Sequence, residues 1–250
     1  MKKKKLRITR RQALLTGASA LGALLLPGCK QKTPPNYGSI LRMGDNLTYL
    51  AHRTLLPGQS LAKEYQKQDI SSFPATGTTN PGDPKSSPYL SEAYKKLHAD
   101  GFRDWTLSVE GRLAKPKKYT MADLKRFPSR TQITRHTCEE GWTAIAEWTG
   151  VPLSLVLQDA GILPSARFVN FYGYDHPYME CVDLLDAFHP QTILAYGMNG
   201  QDLPLQHGAP LRVRVERQVG YKSVKYIERI VVTDEFVETG DTGWSWYVGM

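Results

Sequence analysis

Breakers set the limit on what this chain can fold into. Between residues 30 and 88 proline, glycine, serine, threonine and asparagine dominate, and residues 73–84, FPATGTTNPGDP, carry turn chemistry throughout. Proline lacks the N–H that a helix interior or a central strand requires, so that stretch is neither. It reads as a tether or as an arm laid over a ligand, with Thr33-Pro34-Pro35-Asn36 as a linker before it. Beyond residue 88 only short elements fit between breakers. Ser87-Pro88 opens a helix that Gly101 closes. Residues 105–109, 131–135, 168–172, 192–198, 211–215 and 226–232 read as strands, the second running into Cys138. Thr120 and Asp123 bracket a helix start, Pro152 to Ala160 is a helix stopped at Gly161, and Asn199-Gly200 is a hairpin turn. Strands outnumber helices, and no βαβ repeat, GxGxxG or internal repeat occurs. The pattern predicts a mixed α+β domain and gives no sign of a dinucleotide fold.

The length of 250 residues suits one sizeable domain with an added arm. The expected organisation is a leader at 1–29, a linker and arm at 30–100, the domain at 101–236 and a tail at 237–250. Residues 2–11 are basic, residues 13–26 are small and apolar, and Pro27, Gly28 and Cys29 follow. That order is a signal peptide, and its apolar run is short for a membrane span. Thr9-Arg10-Arg11-Gln12-Ala13-Leu14-Leu15 resembles the twin-arginine signal, whose route moves folded proteins; the alternative is a general secretory signal with two chance arginines. Leu26-Pro27-Gly28-Cys29 resembles a lipobox that would anchor Cys29 to a membrane face, with cleavage nearby as the alternative. The expected location is the periplasm or another exported site.

The formal charge of +8 is not a nucleic-acid footprint. Seven of the 32 basic residues precede Cys29, where no acid stands, which leaves 25 basic against 24 acidic residues in the remainder. Three cysteines, Cys29, Cys138 and Cys181, are too few for a disulfide framework. Without CxxC, CxxCH or HExxH, the chain has no motif for a zinc ribbon, a c-type haem or a zincin.

Cys138 ends the predicted strand in Thr134-Arg135-His136-Thr137-Cys138-Glu139-Glu140-Gly141-Trp142. Flanking Arg135 and His136 should push the thiol toward thiolate, the form that attacks carbon or ligates soft metals. The residues alone leave three readings: a nucleophile, a metal ligand, or a buried structural cysteine, for which Cys181 is a candidate partner. Two further clusters, His207-Gly208-Ala209-Pro210-Leu211-Arg212 and Gly220-Tyr221-Lys222-Ser223-Val224-Lys225, combine glycines with fixed positive charge from Arg212, Lys222 and Lys225. They suit a phosphate cradle, though without Walker A spacing, or else a solvated basic turn.

Taken together and in this order, residues 135–142, Trp148-Thr149-Gly150-Val151-Pro152-Leu153, Asn199-Gly200-Gln201-Asp202-Leu203-Pro204 and the two basic clusters resemble the sulfite-oxidase-type molybdopterin oxidoreductases. The resemblance covers about residues 101–236. It is nearest to the branch of periplasmic methionine-sulfoxide reductase catalytic subunits, matched by Cys138, Glu140, Trp142 and Gly150-Val151-Pro152-Leu153. Sulfite oxidases follow the ligand cysteine with Gly, Asn and Arg, which this chain lacks, so the resemblance favours sulfoxide reduction. About fourteen residues follow Phe236, too few for the family's immunoglobulin-like dimerisation domain, and a monomer is implied.

The resemblance also implies roles. Cys138 would give its thiolate to molybdenum and be the catalytic residue. His207 and Arg212 would contact the pterin, and Ser223, Val224 and Lys225 would form the phosphate-end loop. Gly173 stands where the reductase branch has a threonine. Ser71, Phe73, Pro74 and Ala75 loosely match a segment that covers the cofactor. Arg135, His136 and Glu140 either line the pocket or hold the fold. An oxo transfer on a small-molecule substrate would draw electrons from an external partner such as a membrane haem protein. The rival readings are a cysteine hydrolase built on Cys138 with His136 or His207, and a non-catalytic exported binding lipoprotein.

Overall fold

The computed structural model describes residues 47, 50, 51, 54, 55, 60–75, 91–175 and 178–237. The leader, Cys29, residues 76–90 and the tail beyond 237 lie outside the described residues.

Two five-stranded sheets carry the fold. The first has the order β2-β1-β10-β5-β6, from β1 (Thr106–Gly111), β2 (Lys117–Thr120), β5 (Phe168–Gly173), β6 (Met179–Asp183) and β10 (Ile227–Thr233). Within it β1 and β10 run parallel and the other pairs antiparallel. The second has the order β3-β4-β7-β8, from β3 (Arg130–Thr137), β4 (Thr143–Pro152), β7 (Ile193–Met198) and β8 (Gln201–Asp202), with β9 (Arg212–Arg214) pairing β7 as well. All its pairs are antiparallel. Leu107, Val109, Phe171, Ile230 and Val232 of the first sheet share one buried cluster with Val151, Leu194 and Val213 of the second. Each such side chain contributes about 1.5–3 kcal/mol by leaving water.

The helices are short and locally specified. Helix α1 (Glu92–Ala99) starts where Ser91 Oγ accepts the Tyr94 N–H. Tyr94 is fully buried and donates its hydroxyl to the Ala209 carbonyl at 2.6 Å, which ties the helix to the 205–210 turn. Helix α2 (Met121–Leu124) opens on a capping box in which Thr120 and Asp123 satisfy each other's N–H. Helix α3 (Leu153–Asp159) buries Leu153, Val156 and Leu157 and is followed by Gly161 at φ 70°. Helix α4 (Leu184–Ala187) is capped by Asp183. Asn199 and Gly200 both take left-handed φ, 52° and 75°, as a tight β7–β8 hairpin demands.

Residues 60–75 lie along the second sheet. Glu64 bridges Thr134, and the Tyr65 N–H donates to the Ile133 carbonyl at 2.8 Å. Gln191 accepts the Ala62 N–H at 2.7 Å and donates to the Ala62 carbonyl at 3.0 Å. The segment is thus an arm, and it delivers Phe73 to the site.

Candidate active site

A cavity of about 240 Å³ opens where β3, the β5–β6 loop, the 205–208 turn and the 220–225 segment meet. It is lined by Phe73, Pro74, Ala75, Cys138, His207, Arg212, Ser223 and Lys225, which separate stretches of sequence singled out. Three other candidates lie outside its lining. Ser71 ties the arm to β4. Val224 is buried in the core and gives its carbonyl to the Val213 N–H at 2.9 Å. Gly173 sits behind the wall, where a Cβ would come within 2.3 Å of Asp175 Oδ1 and 2.8 Å of the Lys225 carbonyl. Asp175 and Tyr178 also line the cavity, and nothing in the sequence marked them.

Cys138 follows the last residue of β3. Its N–H donates to the Trp142 carbonyl at 2.9 Å and its carbonyl accepts from Gly141, which stands at φ 89°. This turn exposes Sγ to the cavity. Cys138 and Cys181 are both free thiols, so the pairing reading falls. The expectation of a thiol pushed toward thiolate by flanking positive charge is also corrected. Strand alternation sends Arg135 to the exposed face, where it stacks on Tyr65, and the turn after β3 brings the carboxylates of Glu139 and Glu140 to 3.5 and 3.9 Å from Sγ. Burial first, and then these acids, raise the thiol pKa. Glu140 is exposed and accepts the Trp142 indole N–H at 3.0 Å.

His136, two residues before Cys138 on the same strand face, lines the cavity. Its Nδ1 lies 2.6 Å from Arg214 Nη1. Burial, then Arg214 and Arg212, lower its pKa to about 2. His207 is lowered to about 4 by burial and by Arg212 and Lys225. Phe73 packs on both rings, 5.1 Å from His136 and 5.3 Å from His207, and edge-on against Trp142 and Trp148.

Arg212 clamps two segments by donating to the His207 carbonyl at 3.0 Å and the Ser223 carbonyl at 2.9 Å. Its guanidinium lies 5.0 Å from the Trp148 ring centroid, and its buried Nε has no partner among the described residues. Burial and Arg214 lower its pKa to about 9. Lys225 is lowered to about 8, by burial and then by Arg212. Two neighbouring cations that oppose each other's charge, Arg212 buried and Lys225 half-buried, favour an anion between them. Lys222 is not part of this cradle. It is turned away and buried in an ion pair with Glu180 at 3.0 Å.

This donor set fits an anionic organic cofactor that carries a metal. Arg212, Lys225 and Ser223 suit a phosphate, His207 and His136 suit a heterocycle, and Cys138 offers a soft ligand. Among the described residues no three His, Cys, Asp or Glu side chains converge as a metal-binding group. A metal here would take its other ligands from the organic group.

Comparison with known proteins agrees. The profile described as "Oxidoreductase molybdopterin binding domain" matches residues 94–240. The chain is 32% identical over 242 residues to an Azospira oryzae protein provisionally named protein-methionine-sulfoxide reductase subunit YedZ1, covering 96% of this chain and 87% of that one. It is 37% identical over 146 residues to the protein-methionine-sulfoxide reductase catalytic subunit MsrP of Ralstonia nicotianae, covering 52% of this chain and 44% of that one. The crystal structure of the sulfane dehydrogenase SoxCD from Paracoccus pantotrophus aligns with a TM-score of 0.52 at 28% identity, over 54% of this chain and 40% of that one. The chain belongs to the molybdopterin-binding oxidoreductase family. It is an enzyme with the α+β fold of the sulfite-oxidase type, and Mo-molybdopterin is its cofactor.

Proposed function

We propose that this enzyme reduces sulfoxides, with Cys138 as the protein ligand to molybdenum. The observation that carries the substrate class is the charge around Cys138: the carboxylates of Glu139 and Glu140 stand 3.5 and 3.9 Å from its sulfur. Anionic sulfite approaching that rim meets like charge, whereas a neutral sulfoxide does not. Trp142 and Phe73 offer apolar surface to its carbon substituents. The names of two relatives, a methionine-sulfoxide reductase subunit and a catalytic subunit, support the same reading.

The reaction converts a sulfoxide, two electrons and two protons into a thioether and water. Bound molybdopterin supplies a metal centre able to exchange oxygen and electrons with the substrate. The protein supplies the rest. Arg212 and Lys225 hold the cofactor's anionic end, Cys138 fixes its metal end, and the arm carrying Phe73 keeps water from the site. The electrons come from an external carrier, for which a membrane haem protein is the proposed class. Export by the twin-arginine route would place a cofactor-loaded monomer in the periplasm, and a lipid on Cys29 would hold it near that carrier. The test is turnover with a reduced dye as donor. Reduction of a methionine sulfoxide with no oxidation of sulfite under an oxidising acceptor is expected. Faster sulfite oxidation than sulfoxide reduction would overturn the reading.

A further inference from the structure

Arg214 sits at the centre of a buried charge array behind the cavity. Its guanidinium donates to both carboxylate oxygens of Glu216, from Nε at 3.1 Å and Nη2 at 2.8 Å. Both side chains are almost wholly buried. Gln132 donates to the same carboxylate at 3.0 Å, and the guanidinium lies 4.5 Å from the Trp148 ring centroid. Three sides of Arg214 are thereby fixed. The remaining Nη1 points at His136 Nδ1, 2.6 Å away.

An arginine guanidinium donates and never accepts. Nδ1 of His136 must therefore be the acceptor, and the ring proton must sit on Nε2. The Nε2 edge lies beside Gly220, where a Cβ would come within 2.4 Å of it, so glycine is required there for the ring to fit. Nε2 has no protein partner among the described residues, and the side chain lines the cavity. Across Phe73 stands His207.

We infer that Arg214 locks His136 in a single tautomer, so that its Nε2–H is a fixed hydrogen-bond donor to an acceptor atom of the pterin heterocycle. The cofactor is favoured over substrate because Nε2 faces the segment that carries Ser223 and Lys225, whereas Glu139 and Glu140 mark the rim. Arg214 is the positioning residue, with Glu216 neutralising its charge and setting its plane. The inference rests on the cofactor and not on the sulfoxide reading.

The test is nitrogen-15 NMR of histidine-labelled protein, cofactor-free and loaded with oxidised molybdopterin. His136 should show an unprotonated Nδ1 and a protonated Nε2 in both forms, with the Nε2 proton moving downfield and exchanging slowly only in the loaded form. A protonated Nδ1, or an Nε2 proton indifferent to loading, would overturn the inference. Two variants give an independent readout. His136→Phe keeps a ring among Phe73 and Trp142 but removes the donor, and should retain about tenfold less cofactor through gel filtration, the worth of one hydrogen bond. His136→Gln keeps an N–H near the Nε2 position and should retain more cofactor than the phenylalanine variant. A purely structural role predicts the opposite order, and that result would also overturn it.

Discussion

Ser71 and Ile145 exchange a reciprocal pair of hydrogen bonds: the Ser71 N–H donates to the Ile145 carbonyl at 3.0 Å, and the Ile145 N–H donates to Ser71 Oγ at 2.9 Å. Two residues later Phe73 enters the site and packs on four rings. The pair is a clip that sets the reach of the arm. Ser71→Ala removes one acceptor, worth about 0.5–1.5 kcal/mol. Amide exchange at Ile145 should speed by about twofold to tenfold while the melting temperature barely moves. Unchanged exchange would show that the arm is held elsewhere.

Arg212 and Lys225 should govern cofactor retention, and Lys222 should not. A charge-assisted bond to phosphate is worth about 1.5–3 kcal/mol, so Lys225→Ala or Arg212→Ala should lower molybdenum content by tenfold or more under competitive loading. Lys222→Met leaves Glu180 buried and unpaired, which typically costs about 3–5 kcal/mol of stability. Metal analysis beside urea unfolding separates the effects. Full molybdenum in both the Lys225 and Arg212 variants would put the cofactor's phosphate at a different place.

These residues show where the sequence was readable. Period-two alternation and cap chemistry marked β3, β5, β7, β10, α2 and α3 to within about two residues, because one face of each is apolar or its ends are capped. Strand β4 was missed: its inward positions include Ala144, Ala146 and Gly150, too small to register as an apolar stripe. Strand β6, Met-Glu-Cys-Val-Asp, is buried at all five positions, acids included, which no alternation rule anticipates. The arginines of β9 alternate with valines, a pattern that ordinarily turns the charges to water, yet Arg212 and Arg214 are both buried. Their partners, Trp148, Glu216 and His136, come from β4, the turn after β9 and β3. A site assembled from such distant segments is visible in sequence only through its motifs.

The buried histidines tie stability to pH. Folded-state values of about 2 for His136 and about 4 for His207 lie below the unfolded value of 6.5. Between pH 6.5 and 4 the unfolded chain therefore binds more protons at these sites, and stability falls with falling pH by about 1.4 kcal/mol per pH unit per histidine. Glu180, raised to about 7 by burial, acts the other way, since the folded protein holds its proton first. His189, lowered chiefly by burial, adds to the histidine side, so the net is one proton or more. Urea unfolding of the cofactor-free protein should lose at least about 1.4 kcal/mol per unit over pH 6 to 4.5. His207→Asn should flatten that slope, and an unaltered slope would remove His207 from the account.

The leader sequence makes its own forecast. Replacing Arg10 and Arg11 together by Lys keeps the charge but removes the paired arginines, and export should stop. Normal export of the double variant would leave a general secretory signal and remove the twin-arginine route.

Cys138 decides the central claim most directly. X-ray absorption at the molybdenum edge, with paramagnetic resonance of the half-reduced centre, should be compared between the wild type and Cys138→Ser loaded in the same cells. The phosphate and pterin contacts lie on other segments, so the variant should keep its molybdenum. Its metal should show one sulfur fewer and an altered resonance, because oxygen is a harder and weaker donor than thiolate. Sulfoxide reduction should be largely lost. An unchanged sulfur count and resonance in Cys138→Ser, with molybdenum retained, would contradict the account.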